Sequence, residues 1–158
     1  FVNTINAQAL EAGVDPAAAL RHLQWQHVVP SLYGGAVMVT PALARDHPQA
    51  VRGLVRAINR GLVDVIADID GAIDAVARRN PAIDRAANRA RLAGTLALEM
   101  AHPEGARIGI GAVDPDRLAA TVALMARAKA LPAQPPPSRL FDDRFLPPVG
   151  ARVRTLAT

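Results

Sequence analysis

Hydrophobic and polar residues follow two different periods along the chain, and the longer period predominates. Over 48–68, apolar side chains recur every three or four positions, which predicts one long amphipathic helix. Helical spacing, capping residues and Ala-rich composition predict further helices over 5–12, 41–46, 70–79, 82–101 and 115–131. The pattern therefore predicts a chain that is mostly helical.

A shorter period appears only near the beginning. Near-alternation of apolar and polar residues over 20–29 predicts a β-strand that Pro30 ends, and the apolar run 36–39 predicts a second, buried strand. The Gly-rich stretch 102–113 is predicted to be a loop, and the proline-rich residues from 132 onward an extended tail. Two strands do not make a stable sheet alone. Either the domain is mainly helical, or residues outside this sequence complete its sheet.

Composition narrows the class of protein. The chain has 158 residues, of which 51% are hydrophobic, which suits one domain with a sizeable core. It has no cysteine, which excludes a disulfide framework, a thiolate metal site and a cysteine nucleophile. No stretch is apolar enough to cross a membrane, and no signal peptide is present in this chain.

The basic charge does not indicate a nucleic-acid partner. The formal net charge is +4, but the arginines are scattered and interleaved with acids. Arg60 and Asp64, like Asp74 and Arg78, have the spacing of ion pairs on a helix surface. We expect an ordinary solvated surface rather than a nucleic-acid groove.

The order of several motifs resembles a known family. The segment Tyr33–Val39 reads YGGAVMV and is followed by TPALARDHPQAVRGLVRAINRGLVDVIAD. LEAGVDP precedes it, and AIDAVARRNPAID, IGAVDPDRL and RLFDDRFLPP come after it. This order is similar to that of the nitrate, sulfonate, taurine and thiamine-pyrimidine-precursor family of periplasmic solute-binding proteins of ABC importers. The resemblance covers nearly all the chain and corresponds to the C-terminal half of such proteins.

The resemblance implies an α/β fold, as part of a two-lobed, type II-like periplasmic binding protein, with this portion mostly helical and containing a few strands. Residues 1–35 would end the second lobe and approach the hinge, 36–131 would be the C-terminal part of the first lobe, and 132–158 a proline-rich tail. The implied function is capture of a small solute in an interlobe cleft and its delivery to the permease in the inner membrane. The solute would be a sulfonate or taurine-like anion or a thiamine pyrimidine precursor. The implied location is periplasmic, and the missing N-terminal half would be a partner.

Six residues are candidate ligand contacts: Asn3, Thr4, Trp25, His27, Tyr33 and Gly34. Backbone amides at a helix start near Asn3 and Thr4 can hold an anion, although both residues also suit plain helix caps. The sole Trp and Tyr have flat rings with one polar group, which suits a solute cleft as well as a core. His27 can add a hydrogen bond, and Gly34 belongs to the Tyr-Gly turn of the family.

No catalytic residue, cofactor or metal site is predicted. The four histidines lack the paired spacing of zinc ligands, and neither serine lies in a nucleophile elbow. One alternative is an enzyme on the same fold, like those of pyrimidine-precursor synthesis, which would need histidine or metal ligands. A second alternative, suggested only by the Arg content, is a helical module that binds nucleic acid or a partner.

Overall fold

The structure, a computed structural model, describes residues 2–156 and all of their side chains except that of Glu99. Within this range the chain forms nine α-helices, listed in chain order: α1 Val2–Glu11, α2 Pro16–Ala19, α3 Trp25–Val28, α4 Pro41–Asp46, α5 Pro48–Ala67, α6 Ile69–Arg79, α7 Arg85–Gly94, α8 Pro103–Ile108 and α9 Pro115–Ala128. A π-helical turn, Thr95–Glu99, continues α7. Three 3₁₀ turns follow at Pro137–Arg139, Asp143–Phe145 and Val149–Ala151.

The predicted α/β class is wrong, because residues 2–156 contain no β-strand. The alternating stretch 20–29 instead contains the short helix α3, and the apolar run 36–39 has no regular structure. The physical reason is the lack of a partner. A strand needs a neighbour for its backbone groups, and residues 33–39 make no backbone–backbone hydrogen bond within the described part of the chain.

Several predicted helix starts are confirmed, because capping depends on neighbouring residues. The Thr40 hydroxyl accepts a hydrogen bond from the Leu43 amide at 3.2 Å, with Pro41 in the first helical position. Asp114 caps α9 in the same way through the amides of Asp116 and Arg117. These short-range signals identify the starts of α4 and α9 correctly.

Other boundaries differ from the prediction. The cap of α6 is Asp68, which accepts from the Gly71 amide at 2.8 Å, whereas Asp70 lies in the first turn. The predicted helix over 82–101 starts later, at Arg85, and gives way to the π-helical turn after Gly94. The predicted loop 102–113 contains α8, because the His102 ring caps Glu104 and proline occupies the first position.

The core is a row of helix contacts rather than one large centre. Helix α1 packs on α7, α7 on α6, α6 on α5, and α5 on α4. Helices α1 and α7 approach closely, because a Cβ added at Gly94 would lie 2.8 Å from Cβ of Asn3. The buried apolar side chains are spread over most elements: Ala7, Val51, Ile73, Ala87, Leu96, Val122, Phe145 and Val153.

The tail, which was predicted to be extended, also packs against the helices. Phe145 packs against α5 and is buried. Further along, the Ile110 amide donates to the Val153 carbonyl at 2.8 Å. Arg152 donates to the Ile108 carbonyl at 2.9 Å. The tail is therefore fastened to both α5 and the end of α8.

The chain exposes more surface than its mass requires. Its accessible surface is 10988 Å², whereas a compact monomer of this mass exposes about 7,600 Å². Much of the exposed apolar surface is close in sequence: Leu23 (98%), Trp25 (75%), Val28 (72%), Val37 (59%) and Met38 (89%) are accessible to these extents. We call residues 20–30 and 34–39 the open segment. Residues 31–33 are left out because Asp114 and Arg117, at the start of α9, donate hydrogen bonds to them. Among the described residues, no helix has both the length and the hydropathy to span a bilayer.

Candidate functional site

The six predicted ligand residues fall into three groups. Asn3 and Thr4 lie in the first turn of α1, Trp25 and His27 form part of α3, and Tyr33 and Gly34 precede α4. No hydrogen bond among residues 2–156 joins one group to another. The six residues therefore share no hydrogen-bond network within the described part of the chain.

Asn3 is a buried residue inside α1 and not a cap at its start. It is 5% exposed, and its Nδ2 donates to the Arg91 carbonyl at 3.2 Å and to Oγ1 of Thr95 at 2.5 Å. Its Oδ1 has no partner within the described part of the chain, and neither has Nε of Arg91. Buried polar atoms usually find a partner, so this contact between α1 and α7 is polar and incompletely satisfied. Thr4 beside it is half-buried.

Trp25, His27 and Gly34 lie on the surface. The Trp25 side chain is 75% exposed and His27 is also exposed. A Cβ added at Gly34 would meet no atom within 4 Å. These three residues are available to a ligand or to another polypeptide.

Tyr33 belongs to a polar cluster of four residues, whose other members are Glu104, Asp114 and Arg117. The Tyr33 hydroxyl donates to Oε1 of Glu104 at 2.6 Å. The Asp114 amide donates both to the Tyr33 oxygen at 2.8 Å and to Oε1 of Glu104 at 3.1 Å. The Asp114 amide, at the point where α9 begins, thus holds both the Tyr33 phenol and the Glu104 carboxylate in position.

Arg117 fastens the chain before Tyr33 to α9. Its guanidinium lies over the Tyr33 ring, 4.2 Å from the centroid, and donates to Oε2 of Glu104 at 3.1 Å. It also donates to the backbone carbonyls of Ser31 at 3.2 Å and Leu32 at 3.0 Å. The Arg117 and Glu104 side chains are only 18% and 10% exposed, so this ion pair is mostly shielded from water.

The hydrogen bond between Tyr33 and Glu104 joins two groups whose pKa values are both shifted. Partial burial, and then the hydrogen bond to Glu104, raises the pKa of Tyr33 above its ordinary value. Burial alone would also raise the pKa of Glu104. The hydrogen bonds that its carboxylate accepts from Tyr33, Arg117 and the Asp114 amide prevail and hold that pKa below its ordinary value. At neutral pH the cluster therefore contains a neutral phenol and an ionised carboxylate.

Sequence reasoning found Tyr33 but missed Glu104 and Arg117. Tyr33 is 71 residues from Glu104. Glu104 lies in the stretch 102–113, which was predicted to be a loop, so nothing local indicated the pairing. The one usable signal was Glu104 directly after His102-Pro103, which is typical of an acid in the first turn of a helix. It could have predicted α8, but not the contact with Tyr33.

The cluster anchors the chain at Tyr33. The Tyr33 hydroxyl donates to the Glu104 carboxylate, which also accepts from Arg117. Over residues 2–156, no group of three or more His, Asp or Glu side chains is placed to hold a metal ion.

The exposed aromatic surface at Trp25 and the anchored ring of Tyr33 are the features of this region on which a binding role can rest. Comparison of the chain with protein-family models, with curated proteins and with solved structures found no match.

Proposed function

We propose that this chain is part of the solute-binding component of a periplasmic ABC importer. In this role its open segment forms one wall of a cleft that captures a small solute for delivery to the permease. The observation that carries the proposal is the excess of exposed surface, with its apolar part concentrated around Trp25 and Met38. A second body of polypeptide, which the resemblance identifies as the N-terminal half of the same protein, would complete the cleft.

The amount of accessible surface supports the proposal that a second body of polypeptide covers the open segment. The chain exposes 10988 Å², about 3,400 Å² more than a compact monomer of its mass. A stable interface removes about 800 Å² from each partner. The excess is therefore large enough for an extensive interface and a solute beneath it.

The polar cluster supports the same role by fixing one end of the open segment. Arg117 holds the backbone at Ser31 and Leu32, and Glu104 holds the Tyr33 hydroxyl. An apolar wall that is anchored at one point can present Trp25 and Met38 without losing its position. Pre-organisation of this kind lowers the entropic cost of binding.

The solute class follows from the residues that remain accessible. The Trp25 ring can stack on a planar group, and His27 beside it can donate a hydrogen bond to an anionic oxygen. Among the solutes of the family, a thiamine pyrimidine precursor would stack on the Trp25 ring. A sulfonate or taurine-like anion would accept a hydrogen bond from the His27 imidazole. We propose these two classes as the solutes to test.

The test is a calorimetric and thermal-shift screen of the full-length protein with taurine, alkanesulfonates, nitrate and aminopyrimidines. We expect one class to raise the melting temperature, and we expect Trp25→Ala to weaken its binding roughly tenfold or more, since a buried aromatic contact is worth a few kcal/mol. Leu140→Ala is the matched control, because Leu140 is also exposed (55%) but lies in the tail. Absence of binding across the panel, or equal losses in the two variants, contradicts the proposal.

A further inference from the structure

A second site lies in a groove of about 550 Å³ that no residue of the open segment lines. Helix α4, the start of α5 and the turn Asp143–Phe145 form its walls. Pro41, Ala44 and Pro48 make one side apolar. Nothing in the proposed capture of a solute at Trp25 uses this groove.

Three arginines line the groove, and one of them is not neutralised. Arg45 pairs with Asp46, and Arg144 pairs with Asp142 through two contacts of 2.9 and 2.6 Å. Arg52, by contrast, has no carboxylate within 4.0 Å among the described residues. It donates only Nη1, to the Arg144 carbonyl at 2.6 Å. A guanidinium has five N–H donors, so Arg52 retains most of its capacity.

The Phe145 ring fixes the position of these guanidiniums. Phe145 is buried, and the guanidinium carbons of Arg52 and Arg144 lie 5.5 and 5.7 Å from its centroid. Stacking on an aromatic ring restricts a flexible arginine and leaves its planar edge free for a bidentate contact. Arg52 is thus arranged to receive an oxyanion before that oxyanion binds.

The charge around the groove is mixed, because Asp142 also lines it and pairs with Arg144. Helix α5 begins beside the groove at Pro48, which has no N–H, and the Ala50 amide donates to the His47 carbonyl, so the ligand contacts here come from side chains. The pair Arg45–Asp46 is exposed, with 72% and 51% of the two side chains accessible. Exposed pairs of this kind are weak, so Arg45 can turn towards an incoming anion. The groove therefore offers the guanidiniums of Arg52 and Arg45 to one anionic group.

From this geometry we infer that the groove binds a phosphate group, held in bidentate fashion by Arg52 and contacted by Arg45. The phosphate can be free or part of a small monoester, whose organic portion would lie against Pro41, Ala44 and Pro48. Phosphate suits the site better than a carboxylate because it has more than two oxygens, enough for a bidentate contact with Arg52 and a further contact with Arg45.

The test is titration of the protein with inorganic phosphate and with phenyl phosphate, followed by the ¹⁵N-detected Nε–H resonance of Arg52 and by calorimetry. Potassium chloride at matched ionic strength is the reference titration. We expect saturable binding that chloride does not reproduce. Tighter binding of phenyl phosphate would identify a monoester as the ligand, and equal binding would identify free phosphate.

Two charge-matched variants decide the assignment. Arg52→Gln should weaken phosphate binding roughly tenfold or more, because a charged hydrogen-bonding partner is lost. Arg60→Gln removes the same charge about 12 Å further along α5, outside the groove, and should change binding less than twofold. If Arg52→Gln does not fold, Arg45→Gln with the same control replaces it. Equal effects in the groove and control variants, or shifts that chloride reproduces, overturn the inference.

Discussion

Tyr33 and Trp25 are only eight residues apart, yet Tyr33 is held by side chains from later in the chain and Trp25 is exposed. The Tyr33 hydroxyl is held by Glu104 and by the Asp114 amide, and Arg117 covers its ring. Trp25 is 75% exposed on a helix of four residues. The sequence gives both residues the same two interpretations, core packing or ligand contact. The comparison shows that an aromatic ring is anchored or left on the surface depending on which partners reach it from elsewhere in the chain.

The largest effect should come from the ion pair that maintains the anchored region. Arg117→Met leaves the Glu104 carboxylate, which is 10% exposed, without its cation. Breaking a mostly buried pair costs about 3 kcal/mol. We expect the free energy of unfolding, measured by urea denaturation, to fall by that amount.

The control for this variant is Arg45→Met. Its ion pair with Asp46 is largely exposed and should contribute less than about 0.5 kcal/mol. A loss of similar size in both variants would show that the polar cluster does not stabilise the fold.

Glycine substitutions provide a second comparison between packed and open positions. At Gly94, a new Cβ would lie 2.8 Å from Cβ of Asn3, so Gly94→Ala should separate α1 from α7 and cost about 2 kcal/mol. At Gly35 a new Cβ meets nothing within 4 Å, so Gly35→Ala should leave thermal stability nearly unchanged. Equal melting temperatures for the two variants would contradict the close approach of α1 and α7.

The two aromatic residues can be compared directly by conservative substitution. Tyr33→Phe removes one hydroxyl and leaves the Asp114 amide with a single acceptor, which should cost about 1 kcal/mol. Trp25→Phe removes no hydrogen bond among the described residues and should change stability by less than about 0.5 kcal/mol. Chemical denaturation of both variants measures the difference. A larger loss for Trp25→Phe would reverse the comparison.

The smallest effect should be on the pH dependence of stability, with opposite signs at Glu104 and Tyr33. The pKa of Glu104 is lowered in the folded state, so its stabilisation is present above its unfolded pKa near 4.5 and is lost as pH falls through the folded pKa. The pKa of Tyr33 is raised, so its stabilisation is present below 10.0 and is lost as pH rises through the folded pKa.

Urea denaturation as a function of pH, with matched variants, checks both signs. Glu104→Gln should make the acid limb shallower, and Tyr33→Phe should make the alkaline limb shallower. Asp70, Asp114 and Asp142 also have lowered pKa values, so some acid sensitivity should persist in Glu104→Gln. A steeper alkaline limb in Tyr33→Phe would contradict the assigned direction.

The parts of the fold that sequence reasoning predicted correctly depend on neighbouring residues. The starts of α4 and α9 follow from Thr40-Pro41 and Asp114-Pro115, where side chain and amide are three residues apart or fewer. The two strands failed because alternation describes what a segment could bury and not whether a partner strand exists. Leu23 alternates with polar residues, yet it is 98% exposed.

The candidate site was less predictable, because its contacts span long stretches of chain. Asn3 looked like a helix cap, and only the packing of α7, about 90 residues later, makes it a buried donor. Likewise, no local pattern links Tyr33 to Arg117. The exposure of Trp25 was equally hidden, since a single aromatic residue in an apolar stretch is usually covered.

The way in which α8 is completed links the far end of the chain to Tyr33. This helix has six residues, too few to be stable in isolation. The His102 ring satisfies its first turn, while Arg152 and Arg154, more than 40 residues later, donate to the carbonyls of Ile108 and Ala106. Removal of the residues from 149 onward would delete both arginines, so it should loosen the helix that carries Glu104 and weaken the hydrogen bond to Tyr33.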